Sequence, residues 1–232
     1  FYEPIMAKYP KDTSWNLSIE TLRGCPYHCS FCDIGDEYWN KLSLFPMDRV
    51  LKEIDWIIEA VIEDIGIKRD LYKKIVQYKK SDTIVSSNTS TIPLDELVKD
   101  MPNDFRRHFL ITHFFNPPRY MRLLELVIGD ETSKDVAEKI EFFADVKLGK
   151  GIVKCNDTPG FIANRIGCYW LTVGVLDAIE TGITIEEADQ VMSRPIGVPK
   201  TGVFGLLDLI GLDLMPLIAK EFSQSLPKED EF

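Results

Sequence analysis

The chain has 232 residues, of which 45% are hydrophobic and 28% are charged, so it can bury the core of one large or two small domains. Its formal net charge is −10, which argues against nucleic-acid binding because that activity needs a basic face. No apolar run reaches the length of a membrane span and no signal-peptide pattern opens the chain, so we expect no membrane insertion.

The first predicted elements change from helix to strand without a residue that would end the helix. An alternating pattern predicts a short strand over residues 17–22, and helical spacing of apolar residues predicts an amphipathic helix over 47–58. A continuous apolar run over 57–62 then indicates a buried parallel strand. Because no Gly, Pro or capping residue separates this helix from this strand, we predict a junction between unrelated segments near Trp56.

Beyond the junction, helical and strand patterns alternate, which predicts an α/β fold. The predicted strands cover residues 83–86, 109–115, 123–128 and 151–155. The predicted helices cover residues 67–78, a short segment opened by Pro93, 133–147, 160–180, 186–193 and 203–222. Thr158 is the predicted N-cap of the helix over 160–180, with Pro159 at its first helical position.

Three of the five cysteines, Cys25, Cys29 and Cys32, form a C-x3-C-x2-C pattern. An odd cysteine count with a tight cluster favours metal ligation in a reducing compartment over disulfide bonds, so we expect a cytoplasmic protein. Three thiolates at this spacing can hold three irons of a [4Fe-4S] cluster. The alternative is that all three are ordinary core cysteines.

Together with its flanking residues 22–35, the cysteine pattern resembles the radical S-adenosylmethionine superfamily, and the resemblance extends over residues 10–57. It implies a [4Fe-4S] cluster on these three cysteines that binds S-adenosylmethionine. The barrel of that superfamily repeats a strand–helix unit several times, whereas this chain holds one such unit. We therefore interpret residues 1–56 as a strand–helix fragment. A cluster-binding radical enzyme and a non-catalytic chimera are the alternative functions.

A second set of motifs follows the junction, at residues 87–90, 113–118, 123–127 and 157–165. In this order the motifs resemble the 3-hydroxyacyl-CoA dehydrogenase family, from about residue 57 onward. The resemblance implies oxidation of (S)-3-hydroxyacyl-CoA to 3-oxoacyl-CoA with NAD, a step of fatty-acid β-oxidation. It also implies an incomplete Rossmann-like parallel sheet over residues 57–152 and an all-helical substrate and dimerisation domain over 153–232.

The chemistry of alcohol oxidation explains the polar residues of these motifs. A base must remove the hydroxyl proton, and His113 ends a predicted strand with a side chain of the type that titrates near neutral pH. Glu125, on the next strand, can hold the other ring nitrogen. By resemblance, His113 and Glu125 form the catalytic pair, while Ser90 and Asn164 contact the C3 oxygen of the substrate. Taken singly, each residue has a structural alternative, such as a core histidine, a solvated carboxylate or a turn residue.

The nucleotide side of this site is incomplete in the sequence. By resemblance, Glu63, Lys68 and Asn88 match positions that contact the cofactor. The family begins with a strand, a G-x-G-x-x-G loop and a helix whose N-terminus holds the pyrophosphate, and this chain has no such glycine pattern. We therefore expect impaired binding of NAD.

The dehydrogenase resemblance also implies partners. The substrate is an acyl-CoA, and self-association through residues 158–222 would give a homodimer. Residues 194–202 are similar to those of members fused to an enoyl-CoA hydratase module, which this chain does not include.

Overall fold

The computed structural model describes residues 22–23, 43–44, 51, 54–198, 200–212 and 215–226. The cysteine pattern lies outside the described residues, and so does half of the helix predicted over 47–58. The described half, residues 51 and 54–58, is not helical, so that prediction is wrong there: Trp56–Ile58 belong to a strand that pairs with its neighbour. Of the strand predicted over 17–22, Leu22 alone is described. The strands are β1 (Leu22–Arg23), β2 (Ser43–Leu44), β3 (Trp56–Glu59), β4 (Ile84–Ser87), β5 (Phe109–Phe114), β6 (Leu123–Val127) and β7 (Gly151–Cys155).

The strands form an antiparallel ribbon of β1 and β2 and a five-stranded sheet in the order β3-β4-β5-β6-β7. Strands β3, β4 and β5 are parallel, as are β6 and β7, whereas β5 and β6 run antiparallel. The predicted α/β fold is therefore confirmed, with a sheet that is parallel except at one pair. The exception arises because residues 115–122 are too few for a parallel crossover, which needs about a dozen residues or more.

Strand β3 differs from the buried strand predicted over 57–62. It begins at Trp56 and ends at Glu59, and among the described residues it pairs with β4 alone. Ile58 is 42% exposed and Ile62, beyond the strand, is 46% exposed. The apolar run was therefore a correct sign of a parallel strand and a wrong sign of full burial.

The helices are α1 (Ile65–Tyr78), α2 (Leu94–Val98), α3 (Asn103–Arg107), α4 (Lys134–Phe142), α5 (Ala163–Thr181), α6 (Ile185–Val191), α7 (Gly202–Ile210) and α8 (Met215–Ser225). Helix α4 continues as a π-helical turn over Phe143–Lys147, so the predicted helix over 133–147 is confirmed in extent. The prediction of one helix over 203–222 is wrong, because Gly211 has a φ of 106° and separates α7 from α8. Helix α3 was not predicted.

Helix α5 begins at Ala163, so the prediction that Thr158 caps it is wrong. Gly160 and Phe161 have φ angles of 73° and 48°, in the left-handed region that no α-helix can include. Residues 158–162 therefore form a turn ahead of the helix. Asn164 still lies in the first helical turn, as predicted.

The core of the α/β part lies on both faces of the sheet, because side chains alternate along each strand. On one face the strands pack against α1, α2 and α3, through residues that include Tyr72, Ile75, Val85, Leu97, Phe105 and Phe109. On the other face they pack against α4, through Ile84, Leu110, Leu126, Val136 and Ile140. A third cluster joins α5 to α7 through Leu171, Val203 and Leu207. Among the described residues, every helix is too short or too polar to cross a membrane.

Candidate active site

The sheet topology brings the predicted polar residues to one edge. Strands β3, β4 and β5 are parallel, so the segments that follow them leave the sheet on the same side. Glu63 follows β3, Asn88 and Ser90 follow β4, and His113 lies near the end of β5. In a parallel α/β sheet, this is the edge at which ligands bind.

His113 and Glu125 face each other across the antiparallel pair of β5 and β6. The imidazole Nδ1 lies 2.8 Å from Glu125 Oε2, and both residues are buried. We assign the Nδ1 proton from this contact, because an ionised carboxylate can only accept a hydrogen bond. The other ring nitrogen, Nε2, lies 3.1 Å from Ser90 Oγ. The three side chains thus form a continuous chain that leaves Nε2 as the acceptor.

The second oxygen of Glu125 binds the start of α5. Oε1 accepts hydrogen bonds from the backbone N–H groups of Ile162 at 3.0 Å and Ala163 at 2.7 Å. A helix N-terminus offers unpaired N–H groups and a positive dipole end, so it favours a carboxylate. Burial alone would raise the pKa of Glu125, but the hydrogen bonds from His113, Ala163 and Ile162 hold it below its usual value. Glu125 is therefore held as the anion that steadies His113.

The turn over residues 157–162 connects this helix to the rest of the site. Asp157 Oδ2 accepts a hydrogen bond of 2.8 Å from the N–H of Leu94, so it caps α2 rather than α5, and burial raises its pKa. The Gly160 N–H donates to the carbonyl oxygen of Ser90 at 3.2 Å. The Phe161 ring is buried with its centroid 5.5 Å from that of His113. This turn therefore touches both Ser90 and His113.

Asn164 is placed by this same helix start. It is half-buried and directly follows Ala163, whose N–H binds Glu125. The structure brings Ser90 and Glu125 into contact with the two ring nitrogens of His113, and it places Asn164 one residue after the N–H group that binds Glu125. Its predicted contact with the C3 oxygen of a substrate stays a prediction.

Glu63 shapes the turn that carries Ser90. Its Oε1 accepts hydrogen bonds from the Thr89 hydroxyl, the Ser90 N–H at 3.0 Å and the Thr91 N–H at 3.2 Å. Burial would raise the pKa of Glu63, but the hydrogen bonds from Thr89 and Ser90 and the charge of Lys68 lower it below its usual value. Glu63 is thus a structural acceptor for the backbone at Ser90, and its predicted cofactor contact stays a prediction.

Lys68 is 1% exposed, and its three ammonium donors are all used. Nζ lies 2.9 Å from Glu59 Oε1, 3.2 Å from Glu63 Oε2 and 3.3 Å from the Val61 carbonyl oxygen. A direct contact between Lys68 and a cofactor would require one of these bonds to break. Lys68 therefore holds the Glu63 carboxylate in place through their ion pair.

Glu59, which was not predicted as a site residue, anchors this buried network. Its Oε2 accepts hydrogen bonds of 2.7 Å from Tyr72 Oη and from Ser87 Oγ, while Oε1 accepts from Val61 N and Lys68 Nζ. Burial, together with the adjacent Glu59 charge, raises the pKa of Tyr72. The available signal was a carboxylate inside the apolar run over 57–62, because carboxylates are rarely buried unless they are paired.

Asn88 keeps free donors at this edge of the sheet. Its Oδ1 accepts a hydrogen bond of 2.8 Å from the N–H of Phe114, and its own N–H donates to the Glu59 carbonyl oxygen at 2.7 Å. Within the described part of the chain, the amide nitrogen of this half-buried side chain has no acceptor. It can therefore donate to a ligand, and its predicted cofactor contact stays a prediction.

The predicted cluster ligands Cys25, Cys29 and Cys32 lie outside the described residues. Within residues 54–198, 200–212 and 215–226, no group of three or more His, Cys, Asp or Glu side chains is arranged to hold a metal ion. The two cysteines in that part, Cys155 and Cys168, are half-buried, and burial raises the pKa of both thiols.

Comparison with known families agrees with this geometry. Residues 36–158 match the sequence model of the NAD-binding domain of 3-hydroxyacyl-CoA dehydrogenases, and residues 160–232 match the model of the C-terminal domain. The chain belongs to the 3-hydroxyacyl-CoA dehydrogenase family. The first match begins at residue 36, ahead of the junction predicted near Trp56.

Relatives of this chain include much longer proteins. It is 49% identical over 183 residues to a putative fatty acid oxidation complex trifunctional enzyme of Rickettsia prowazekii, an alignment that covers 79% of this chain and 25% of that protein. It is 44% identical over 170 residues to a probable 3-hydroxyacyl-CoA dehydrogenase of Bacillus subtilis, which covers 73% and 22%. The chain thus spans about a quarter of the length of these relatives.

Solved structures show the same dehydrogenase fold. An (S)-3-hydroxybutyryl-CoA dehydrogenase of Ralstonia eutropha superposes with a TM-score of 0.70 at 31% identity, covering 78% of this chain and 62% of that one. A 3-hydroxybutyryl-CoA dehydrogenase of Escherichia coli gives a TM-score of 0.64 at 27% identity, covering 76% and 36%. None of these comparisons supports the radical-enzyme fragment predicted for residues 10–57, so that assignment still rests on the cysteine pattern.

Proposed function

We propose that this chain carries the alcohol-oxidising site of an enzyme that converts (S)-3-hydroxyacyl-CoA to 3-oxoacyl-CoA with NAD. The observation that carries the proposal is the chain of contacts from Ser90 Oγ to His113 Nε2, and from His113 Nδ1 through Glu125 to the start of α5. Family membership supplies the reaction class. Fatty-acid β-oxidation is the process in which this step belongs, as the names of the relatives suggest.

The residues can perform the proton transfer as follows. The lone pair of His113 Nε2 accepts the proton of the C3 hydroxyl, while the Nδ1–H bond to Glu125 stays in place. The imidazolium that forms lies beside a carboxylate already held as an anion, which stabilises its charge. Ser90 Oγ, at hydrogen-bond distance from Nε2, and Asn164, on the first turn of α5, orient the C3 oxygen. The hydride that leaves C3 is accepted by NAD, which is the chemistry the cofactor supplies when bound.

The nicotinamide end of NAD fits the residues at this edge of the sheet. Asn88 has amide donors without an acceptor in the described part of the chain, and Glu63 has an exposed part beside Ser90. Lys68 supports Glu63 from behind. The sequence lacks the glycine loop that usually binds the pyrophosphate of NAD. The residues that support cofactor binding here are therefore those near the nicotinamide.

Replacing the base tests the proposal. With 3-hydroxybutanoyl-CoA and saturating NAD, we expect NADH formation by the unmodified chain, and a decrease of about 10²- to 10⁴-fold in kcat for His113→Gln, because glutamine cannot take a proton. The matched control is His108→Gln, since His108 lies outside the site and its Nδ1 binds the Asp104 carbonyl oxygen. Activity absent from the unmodified chain, or equal in the two variants, would contradict the proposal.

A second candidate function is favoured by the C-x3-C-x2-C pattern alone. If Cys25, Cys29 and Cys32 hold a [4Fe-4S] cluster, anaerobic reconstitution should give a brown protein. The triple alanine variant should then stay colourless, and cleavage of S-adenosylmethionine would be needed to call the protein a radical enzyme. A colourless unmodified protein would remove this candidate.

The proposed assembly follows the family rather than a contact in this chain. Self-association through residues 158–222 would give a homodimer, which light scattering can measure. The name of the trifunctional relative supports a parent protein that includes a hydratase module. Cysteine usage supports a cytoplasmic location.

A further inference from the structure

An apolar pocket lies beside Glu125, between the sheet and α5, with a volume of about 520 Å³. We propose that this pocket binds the acyl chain of the substrate, and that the missing side chain at Gly167 allows medium and long chains to enter. The inference rests on the proposed function, because it takes a 3-hydroxyacyl-CoA as the ligand. The volume of the pocket is within the range of small-molecule sites in proteins.

The walls of the pocket come from two directions. Leu123 and Glu125 on β6, and Val153 opposite Glu125 on β7, project from the same face of the sheet. Helix α5 and the residue before it cover them with Ile162, Ile166 and Trp170, spaced four residues apart along one helix face, and with Ala163 and Gly167 between them. From 162 to 170 the helical rise gives a wall about 12 Å long.

The chemistry of these walls favours an alkyl chain over a polar ligand. Apart from Glu125, the pocket in the described part of the chain is lined by apolar residues and Gly167. The Glu125 carboxylate is already bound to His113 and to two N–H groups of the helix start. A polar ligand would therefore find few partners, whereas each buried methylene contributes about fourfold in affinity.

The position of the pocket favours a substrate chain over a protein partner. Glu125 belongs both to the pocket wall and to the catalytic pair, so the cavity begins at the residue that orients His113. On this proposal, a ligand with its C3 atom at His113 Nε2 places its alkyl end in the pocket. A second copy of this chain would also bury these walls, and the experiment below distinguishes that occupant.

Gly167 offers a direct way to fill the pocket. It lies within α5 without a positive φ, and a Cβ atom built on it meets no atom within 4 Å. A Cβ atom can therefore be added here without displacing a neighbouring residue, and we expect a longer side chain to extend from it into the pocket. Glycine in a helix interior is less favourable than alanine, so substitution should not weaken the helix itself.

The experiment measures dissociation constants by calorimetry for butanoyl-CoA and decanoyl-CoA. We expect the unmodified chain to bind decanoyl-CoA at least tenfold more tightly. Gly167→Leu should reduce that ratio to about one, whereas Gly167→Ala should keep most of it. Thr172→Leu, which adds the same side chain at an exposed position of α5, should keep the full ratio.

Equal affinity for the two ligands in the unmodified chain would overturn the inference. So would a chain-length preference that Gly167→Leu leaves unchanged while circular dichroism shows the variant folded. If Gly167→Leu instead changes the mass measured by light scattering and not the ligand ratio, the pocket belongs to a second copy of the chain. Failure of the proposed function is distinguishable, because it appears as absent oxidation of 3-hydroxybutanoyl-CoA whatever the ligand ratio.

Discussion

Each carboxylate oxygen of Glu125 accepts hydrogen bonds from a different part of the site. The charge of this residue should therefore affect the stability of the fold at acid pH. Oε2 binds His113, and Oε1 binds the N–H groups that open α5. Both contacts are made by the ionised form, which is why the pKa of Glu125 lies below its usual value of 4.5 in the folded chain. A carboxyl group whose folded pKa is lowered stabilises the fold above its unfolded pKa, and loses that contribution as the pH falls through the folded value.

We therefore expect the Glu125→Gln variant and the unmodified chain to differ in free energy of unfolding, and we expect this difference to depend on pH. The variant should be the less stable protein, with the full difference at about pH 5.5 and above, and the difference should shrink as the pH falls below about 4.5. Urea unfolding across this range measures it. Glu63, whose pKa is also lowered, is present in both proteins, so its contribution cancels. A difference that stays constant down to about pH 3.5 would show that the charge of Glu125 contributes nothing to stability.

Some residues of the site could be predicted from the sequence, and others could not. His113 and Glu125 lie on neighbouring strands, and their motifs have recognisable spacing, so their pairing was predicted and is found. Ser90 was predicted near them and lies 3.1 Å from the ring. Glu59 was missed: the apolar run around it indicated a paired carboxylate, but its partners Lys68 and Tyr72 on α1 could be identified only from the tertiary structure.

Among the structural elements, the turn over residues 157–162 decides where α5 begins. Gly160 has a φ of 73°, and a Cβ atom at this position would lie 2.4 Å from the Phe222 ring. The start of the helix was predicted four residues early because Thr158 and Pro159 are common at helix starts. The two left-handed residues that follow them delay the helix, which leaves the N–H groups of Ile162 and Ala163 to bind Glu125.

Two glycine substitutions, one in this turn and one at the far end of α5, separate the cost of backbone strain from the cost of a steric clash. Gly182 ends α5 with a φ of 69°, and a Cβ atom there meets no atom within 4 Å. We expect Gly182→Ala to lower the free energy of unfolding by about 1 kcal/mol, from the left-handed conformation alone. Gly160→Ala should lower it by about 2–4 kcal/mol, because the contact with Phe222 is added. Guanidinium unfolding measures both, and equal losses would mean that Phe222 moves aside freely.

For the whole molecule, the alternation of helix and strand patterns was sufficient to predict an α/β sheet followed by helices. The pattern could not predict the antiparallel pair of β5 and β6, because strand direction follows from the length of the connection and not from hydrophobicity. Nor could it predict that β3 would lie at an edge among the described residues. The family match from residue 36 shows that a change of hydrophobic period near Trp56 is weaker evidence of a junction than it appeared in the sequence.

Binding of the whole cofactor requires a cradle for its pyrophosphate as well as a site for its nicotinamide. Before residue 56 the glycines are Gly24 and Gly35, so the sequence has no G-x-G-x-x-G loop to hold a pyrophosphate at a helix N-terminus. The donors of Asn88 remain at the nicotinamide end. We therefore expect weak binding of NADH in fluorescence titrations, and nearly equal dissociation constants for NADH and reduced nicotinamide mononucleotide, because the adenosine half adds few contacts. A dissociation constant for NADH in the low micromolar range, or one far below that of the mononucleotide, would mean that another segment of this chain cradles the pyrophosphate.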